Sequence, residues 1–259
     1  MNKQADGTVG KALSVLDEVA KFGRPVRFSE LLAGSTHPKA SLYRFVQTLT
    51  NQGMLSHDPE TGTYTLGIRL VKLAHSACKQ ASLATVALPF VEALSLKVNE
   101  NIHLAQREAG QVIFVDKLKA SDRFETMAQT GMVAPAFCTG VGKAILANMT
   151  PERRDRALQQ QAYLAYTPNT HTGIESLLAE LDQIREDGVA FDREEHETGI
   201  ISIAAPIVTQ GGRTIGAISI ASSTSRQSLA SIQAFRADLL ETAHRIGEEA
   251  TNWQFPTVT

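Results

Sequence analysis

Residues 38–66 carry a helix pattern followed directly by a hairpin pattern, and this order restricts the fold more than any other feature of the chain. Pro38 suits the first position of a helix, where no backbone N–H is needed, and the helical spacing continues to about Gln52. Two β-prone runs then flank the turn Asp58–Gly62, which is typical of a β-hairpin. The segment therefore predicts a helix, ended at Gly53, and a short hairpin behind it. The predicted buried face of this helix consists of Leu42, Phe45, Val46 and Leu49.

Two further helices are predicted in front of this segment. Val9–Phe22 has apolar residues at helical spacing, with Thr8 placed to cap its start and Gly23 to end it. Phe28–Ala33 is a shorter helix with Ser29 as its candidate cap. Three helices, with a tight turn before the third and a hairpin after it, have the order of a winged helix-turn-helix. An unrelated small helical domain fits this order less well.

The solvent side of the third helix carries polar side chains that suit DNA. An α-helix fits the major groove, and its N-terminal residues normally reach the base edges. Arg44 and Gln47 can make bidentate contacts with base edges. The other polar side chains of this face can contact phosphates or bases. Each residue alone is equally compatible with a solvated helix face, but the set favours DNA. The predicted DNA-binding residues are Lys39, Ser41, Tyr43, Arg44, Gln47 and Thr48.

Charge is distributed unevenly along the chain. The 259 residues carry a net charge of −2. Residues 1–80 hold ten basic and six acidic residues, a net charge of +4, and the remainder holds 15 basic and 21 acidic residues, a net charge of −6. A basic head on an acidic body is typical of a nucleic-acid reader joined to a separate module. The partner predicted for the head is a double-stranded DNA operator.

The helical pattern continues past the hairpin, over residues 67–80. No Pro or Gly cluster interrupts it before Pro89, so the connection is predicted to be a helix. A stiff helix can transmit the rotation of one domain to another, which a random coil cannot do. Cys78 lies in this stretch and is interpreted as a small, buried or half-buried apolar residue.

Helices and hairpins are mixed from residue 81 onward. Helices are predicted over residues 83–98, 174–186 and 228–248, and hairpins over 102–116 and 201–220. Successive hairpins with helices set against them indicate an antiparallel sheet in an α+β domain. The predicted organisation is a DNA-binding domain over 1–66, a linker helix over 67–80 and a second domain over 81–259.

A glycine-rich segment, Cys138–Ala144, precedes a helix predicted over Lys143–Met149. Glycines let a backbone approach a ligand, and the free N–H groups and dipole at a helix start favour an anion. The segment is not a Walker phosphate loop, because Phe137 and Ala144 stand where that motif needs Gly and Ser or Thr. It is not a dinucleotide fingerprint, because Ile145 replaces the third glycine. A glycine turn with a packing role is the alternative to ligand binding.

Six segments in both halves of the chain together match the pattern of a known family: 38–44, 49–53, 63–67, 140–147, 188–199 and 203–206. They resemble the IclR family of bacterial transcriptional regulators. They follow the family's order and spacing, although Thr36 stands where the family commonly has Gly and Ala40-Ser41 where Ser-Thr is usual. The resemblance implies an α+β fold in which an N-terminal winged helix-turn-helix is joined by a helix to a GAF-like antiparallel-sheet effector domain. It also implies a homodimer or homotetramer, paired chiefly through the winged domains.

The resemblance also implies an effector pocket in the second domain. Ser202 stands where relatives commonly have Cys, and Ala221 where some have Ser, so the effector need not match theirs. Backbone amides and hydroxyls would hold a carboxylate, and Asp192 would accept from a ligand hydroxyl. The expected effector is a small organic acid, with or without a hydroxyl. The implied effector-binding residues are Gly140, Val141, Asp192, Ser202, Ser219 and Ala221.

An enzyme is a different class that the same residues could serve. Cys138 with His171 or His196 and an Asp could form a thiol nucleophile set, and His103, Glu194 and the same histidines could ligate a metal. Only the nearby helix start would activate Cys138, and no pair has tight ligand spacing. We therefore predict no catalysis, no cofactor and no metal. A metabolite-sensing adaptor acting through protein partners, and a Cys-dependent hydrolase, are the alternative functions.

The composition agrees with a folded protein of the cytoplasm. Apolar residues make up 43% of the chain and can fill real cores. No apolar run approaches the roughly 18–20 residues that span a bilayer, and Met1–Gly10 has no apolar signal core. Two cysteines are too few for a disulfide framework. The sequence predicts a sequence-specific DNA-binding transcriptional regulator, a repressor in preference to an activator, whose operator affinity the effector controls.

Overall fold

The computed structural model describes residues 7–81, 83–108, 110–119 and 124–250, and the chain forms two compact units, Met1–Lys79 and Gln80–Thr259. Each unit has a hydrophobic core of its own. The side chain of Cys78 lies outside the described part, so the interpretation of that residue stays a prediction. Within these ranges, every helix is too short or too polar to cross a bilayer.

The first unit packs helices on a small antiparallel sheet whose strand order is β1-β3-β2. The hairpin turn is closed by a hydrogen bond from the Gly62 amide to the Asp58 carbonyl, and Gly62 has the positive φ that such a turn needs. A fourth helix follows the hairpin, as the pattern predicted. The elements are α1 (Thr8–Phe22), β1 (Val26–Arg27), α2 (Phe28–Gly34), α3 (Lys39–Asn51), β2 (Leu55–Asp58), β3 (Thr63–Leu66) and α4 (Ile68–Ala81).

The core of this unit confirms the predicted buried face of α3. Leu42, Phe45, Val46 and Leu49 are all buried, together with Val15, Leu16 and Val19 of α1, Leu31 of α2 and Tyr64 of β3. Four residues at helical spacing put one stripe of α3 into the core, which leaves the opposite stripe at the surface. The winged helix-turn-helix thus presents a defined outer face of α3.

The predicted helix caps need correction. Thr8 lies inside α1, and Gly7 takes the N-cap position. Ser29 is the second residue of α2, because the Glu30 carboxylate reaches back to accept from the Arg27 amide and so moves the cap to Arg27. Pro38 is the N-cap of α3 rather than its first helical residue. These differences of one or two residues leave the order of the helices unchanged.

The second unit is built on a six-stranded antiparallel sheet with strand order β6-β5-β4-β9-β8-β7. Together with the first unit it confirms the α+β class and the antiparallel sheet. Its elements are α5 (Ala84–Val98), β4 (Asn101–Glu108), β5 (Gln111–Leu118), β6 (Val133–Pro135), α6 (Gly140–Ala147), α7 (Pro151–Gln159), α8 (Ile174–Asp187), β7 (Ala190–Arg193), β8 (Ile200–Val208), β9 (Thr214–Ser223), α9 (Leu229–Ile232), a 3₁₀ turn (Gln233–Phe235) and α10 (Arg236–Glu249).

The two faces of this sheet carry side chains of different size. In β8 and β9 large residues such as Ile203 and Ile218 pack in one core with α5 and α10. Successive strand residues point to opposite faces, so the intervening small residues face α6 and α8. This small-residue face leaves room beside the start of α6. Its members in β8 and β9 are Ser202, Ala204, Ala217, Ser219 and Ala221.

Several predicted boundaries in the second unit were wrong. Helix α6 starts at Gly140 rather than Lys143, because the Thr139 hydroxyl caps it by accepting from the Gly142 amide. Asp192 lies inside β7. The C-terminal helix is interrupted by the 3₁₀ turn, and a Ser228–Ser231 capping box starts its first piece. Helix α7 and the short strand β6 were not predicted.

Candidate functional site

The outer face of α3 is open to solvent. Lys39, Tyr43, Arg44 and Thr48 are exposed, whereas Ser41 and Gln47 are half-buried. Tyr43 is held by an edge-on contact with the Phe28 ring, and the Thr48 hydroxyl donates to the Arg44 carbonyl. These contacts fix part of the face without covering it.

The electrostatics of this face favour an anionic partner. Helix α3 contains Lys39 and Arg44 and no acidic residue. In the described part of the chain, no ion pair includes either cation. The Arg44 guanidinium lies 5.9 Å from the centre of the Phe45 ring. Two free cations on an exposed helix are suited to phosphate oxygens and base edges.

The strand register gathers the implied effector-binding residues in the second unit. Asp192 pairs with Ser202, and Ser202 pairs with Ala221, so these three residues form one row across β7, β8 and β9. In the next row His103 of β4 lies opposite Ser219. The start of α6 lies over these rows and adds Gly140 and Val141. All six implied residues line one cavity of about 40 Å³.

The cavity also contains residues that the sequence reasoning did not select as binding residues. His103, Thr126, His196 and Glu197 line it together with apolar residues such as Phe114. His103 stands between Ile102 and Leu104 in a strand with several other polar residues, so its sequence context did not single it out. The others follow β7 or precede β6 in irregular segments, where spacing carries little information. Met127, Met132 and Cys138 are not part of its lining.

Glycine at position 140 allows the helix to approach the sheet. A Cβ atom there would lie 2.7 Å from the Ser202 hydroxyl and 3.3 Å from the Ala204 methyl. The first amides of a helix have no intrahelical acceptor, and in the described part of the chain neither the Gly140 nor the Val141 amide has a protein acceptor. Two N–H donors at the positive end of α6 therefore belong to residues that line the cavity.

Burial changes the protonation of the cavity. Asp192 is only 7% exposed, and burial, with the nearby charge of Glu195, raises its pKa to about 7. Its Oδ1 accepts from the Glu195 amide at 2.8 Å, and this hydrogen bond only partly offsets the raised pKa. Burial lowers the pKa of His103 to about 3 and also lowers the pKa of His196. Both imidazoles are therefore neutral near pH 7.

A buried ion-pair network connects the elements that surround the cavity. The fully buried Lys143 ammonium of α6 donates to Glu180, at 2.8 Å, and to Glu195. Glu180 also accepts from Arg193 and His171, each at 2.6 Å. Burial alone would raise the pKa of Glu180, but these partners lower it well below its ordinary value. The network ties α6, α8 and the end of β7 together.

Donor atoms of His171, Glu180 and Glu195 lie within 4.8 Å of one another, a spacing that a metal ion could use. The Lys143 ammonium already lies between the two carboxylates, and Arg193 adds a second positive charge. We therefore interpret the group as a salt-bridge network. A wider depression of about 630 Å³ lies on its outer side and contains none of the six implied effector-binding residues.

The geometry does not support a thiol nucleophile. Cys138 is buried, and burial, with the charges of Asp192 and Glu195, raises the pKa of its thiol far above the ordinary value. A nucleophilic cysteine needs the opposite shift. His171 is engaged by Glu180 and Ser176 instead of the thiol.

The two units together define a DNA-binding regulator with a separate second domain. The chain matches the IclR helix-turn-helix domain over residues 8–59 and the C-terminal domain of the bacterial transcriptional regulator IclR over residues 75–248. It belongs to the IclR family of bacterial transcriptional regulators.

Relatives of this chain cover nearly its whole length. The transcriptional regulator KdgR of Escherichia coli strain K12 is 29% identical over 258 residues, 99% of this chain and 98% of that protein. The repressor YiaJ of the same strain is 31% identical over 88% of this chain and 81% of that protein. An IclR homologue from Microbacterium hydrocarbonoxydans, solved in complex with 4-hydroxybenzoate, has a TM-score of 0.80 and 24% identity, covering 94% of this chain and 98% of that one. This last likeness concerns the fold.

These matches confirm the predicted class. The protein is a DNA-binding transcriptional regulator with a helix-turn-helix, and it is not an enzyme. The matches also confirm the predicted fold, a winged helix-turn-helix followed by an antiparallel-sheet domain.

Proposed function

We propose that this protein binds its operator through the outer face of α3 and that a small organic acid in the cavity of the second unit changes its affinity for the operator. The effector-binding part of the proposal is supported by one observation: all six implied effector-binding residues line the same cavity. We further propose that it represses transcription, in line with the repressor YiaJ among its relatives, and that it acts in the cytoplasm, where its DNA lies.

The DNA-binding residues of the proposal have separate roles. Arg44 and Gln47 read base edges, since both can form paired hydrogen bonds. Lys39 at the start of α3 binds phosphate, and Ser41, Tyr43 and Thr48 add further contacts. A fluorescence-anisotropy titration with the protein's own promoter fragment and a scrambled duplex, at several salt concentrations, tests this. Specific binding with a steep salt dependence is expected, whereas an adaptor acting through proteins would show no preference between the duplexes.

The effector proposal follows from the donors that face the cavity. The Gly140 and Val141 amides and the Ser202 and Ser219 hydroxyls hold a carboxylate, and Ala221 leaves that edge apolar. A buried water needs about 10–15 Å³ of such space, so a cavity of about 40 Å³ suits an acid with few heavy atoms.

Calorimetry on the full-length protein tests the effector. Glycolate, lactate and malonate serve as small aliphatic acids, and 4-hydroxybenzoate serves as a larger aromatic acid. At least one small acid is expected to bind and to change the affinity for the operator. The change can be no larger than the ratio of the acid's affinities for the protein state that binds DNA well and the state that binds it poorly. Ser219→Ala should lower the affinity for the acid. Ser222→Ala, on the opposite face of the same strand and also buried, is the matched control. No heat from any acid would refute the effector proposal.

We also propose that the protein is a homodimer, with a homotetramer as a pair of dimers. Helix-turn-helix modules usually act in pairs on half-sites. Helices α1 and α4 expose large apolar side chains, of which Val9 is 73% and Ile68 67% exposed. Exposed apolar surface is typical of an interface, and a second copy of this unit is the partner that paired half-sites require. Analytical ultracentrifugation of Val71→Lys, which places a charge on α4, should show dissociation; an unchanged mass would exclude this surface.

A further inference from the structure

We propose that effector binding takes up one proton from solvent, because Asp192 binds the effector carboxylate as a neutral carboxylic acid. The inference rests on the proposed function, since it requires an anionic ligand in the cavity. It makes operator control depend on both the acid and the pH.

The charges of the cavity wall lead to this conclusion. Among the described residues that line the cavity, the side chains with a formal charge are Asp192 and Glu197, and both are acidic. The lining imidazoles, His103 and His196, are neutral near pH 7 because burial lowers their pKa values. Two N–H donors and two hydroxyls can orient a carboxylate, but they carry no full positive charge. The formal charges that an anion meets in the described lining are therefore all negative.

Asp192 and the proposed carboxylate site are immediate neighbours. A Cβ atom on Gly140 would lie 3.6 Å from the Asp192 amide, which measures how closely the start of α6 approaches β7. A ligand held by the Gly140 and Val141 amides in a cavity of about 40 Å³ thus lies next to the Asp192 carboxyl group. Two carboxylates in one small site do not both stay ionised; one of them retains a proton.

The nearby cations cannot take the place of that proton. Lys143 of α6 is bound between Glu180 and Glu195. Lys117 of β5 pairs with His103 in the strand register, but its ammonium donates to the Thr126 and Ala128 carbonyls, at 3.1 and 2.7 Å. Both ammonium groups are therefore already hydrogen-bonded to other partners. Arg193 pairs with Glu180.

The groups packed around Asp192 keep its proton affinity high before the ligand arrives. Burial has the largest influence and Glu195 adds to it, while the Lys143 charge and the backbone amides of Glu195 and His196 act in the opposite direction. The net result is a pKa of about 7. The neighbouring Cys138 thiol is neutral, because its pKa is raised by burial. Ionised Asp192 thus needs little energy to accept a proton from water.

The proton that is taken up on effector binding goes to the Asp192 carboxyl group. In the ligand-free protein at pH 8, Asp192 is mostly ionised and its Oδ1 accepts from the Glu195 amide. On binding, one proton moves from solvent to the other carboxyl oxygen, and the resulting O–H donates to the ligand carboxylate. No covalent bond between heavy atoms changes. Below about pH 6 the proton is already present, so binding takes up almost none.

The experiment is isothermal titration calorimetry of the full-length protein with the small acids named above, at pH 5.5, 7 and 8.5. Each titration is run in two buffers with different heats of ionisation, since the difference in heat counts the protons. We expect nearly one proton taken up at pH 8.5, close to none at pH 5.5, and a Kd that rises up to tenfold per pH unit above pH 7. Equal heats in both buffers at pH 8.5, with measurable binding, overturn the proposal.

Two variants assign the proton to a residue. Asp192→Asn keeps an N–H donor in place of the O–H, so it should bind acid without proton uptake and more tightly than wild type at pH 8.5. Ser222→Ala, on the opposite face of β9, should retain the uptake of the wild type. Glu197→Gln removes the other acidic side chain of the lining and tests whether that carboxyl group takes the proton instead. Loss of uptake in Glu197→Gln and not in Asp192→Asn would overturn the assignment. If no acid binds the wild type at any pH, the proposed function fails as well, whereas binding without uptake refutes only the present inference.

Discussion

The outer face of α3 and the cavity of the second unit are built in opposite ways. The face is exposed, carries Lys39 and Arg44, and has no acidic residue on the same helix. The cavity is buried and acidic, and it depends on a glycine and on an ion-pair network. Side chains of the face can change with little effect on folding, whereas the cavity residues also hold α6 on the sheet. Binding and stability should therefore separate in the first unit and be linked in the second.

The largest test of this difference is the substitution Lys143→Met. Removing one partner of a buried ion pair leaves an uncompensated charge and typically costs about 3–5 kcal/mol. Glu195, with 3% side-chain exposure, would lose the ammonium that it pairs with most closely, leaving the Arg193 guanidinium at 3.9 Å. Urea denaturation of the variant should show the second unit unfolding at a much lower midpoint. Lys39→Met, on the exposed face of α3, is the control and should leave the midpoint unchanged; equal losses in both would refute the contrast.

Asp192→Asn should have a pH-dependent effect on stability. The pKa of Asp192 is raised from 3.8 to about 7, so the folded state holds this proton more tightly than the unfolded state. Wild-type stability from this group therefore falls as the pH rises from about 4 to about 7 and is level above. The variant should be more stable than wild type at pH 8, by at most about 4 kcal/mol, and similar at pH 4. Unfolding in urea at both pH values measures this; the same difference at both would contradict it.

Gly140→Ala tests the close approach of α6 to the sheet. Its methyl group would collide with the Ser202 hydroxyl, and such overpacking typically costs about 1–3 kcal/mol. Effector affinity should fall with stability, because the same helix start supplies the amides. Combining it with Ser202→Ala should recover part of the stability loss. Gly211→Ala, where the nearest atom is 3.9 Å away, is the control.

Arg44→Ala should separate binding from stability in the first unit. Loss of a base-reading arginine weakens specific DNA binding by about 1–3 kcal/mol, while an exposed side chain of this kind changes stability by roughly 0.5 kcal/mol or less. Lys39→Ala should instead weaken binding to all sequences and reduce the salt slope by about one. Operator and scrambled-duplex titrations distinguish the two results. A large fall in melting temperature for Arg44→Ala would remove the contrast between the units.

The same difference explains what the sequence could predict. The core face of α3 was predicted in full, because helical periodicity is local and its four apolar residues lie within eight positions. The network around Lys143 was not predicted, because Glu180 and Glu195 are 37 and 52 residues away from it. A basic residue between Gly142 and Ala144 gave no sign of complete burial. Ion pairs between different elements depend on tertiary packing, and the periodicity of a sequence does not report contacts between distant elements.

Some missed elements did have a local signal. Thr150 and Pro151 are a typical helix start, yet α7 was not predicted. The interruption between α9 and α10 had no such signal, since no Gly or Pro occurs in residues 229–249 apart from Gly247. The six cavity positions came from the family resemblance, and their meeting in space required the strand register.

The unequal faces of the large sheet have a consequence for how such a protein can acquire new ligands. The isoleucine layer under α5 and α10 carries the packing of the sheet, and the small residues on the other side set the shape and polarity of the cavity. An exchange such as Ala221→Ser adds one oxygen to the cavity without touching the isoleucines. Under the proposed function, ligand preference can therefore diverge by single substitutions while the isoleucine layer stays unchanged.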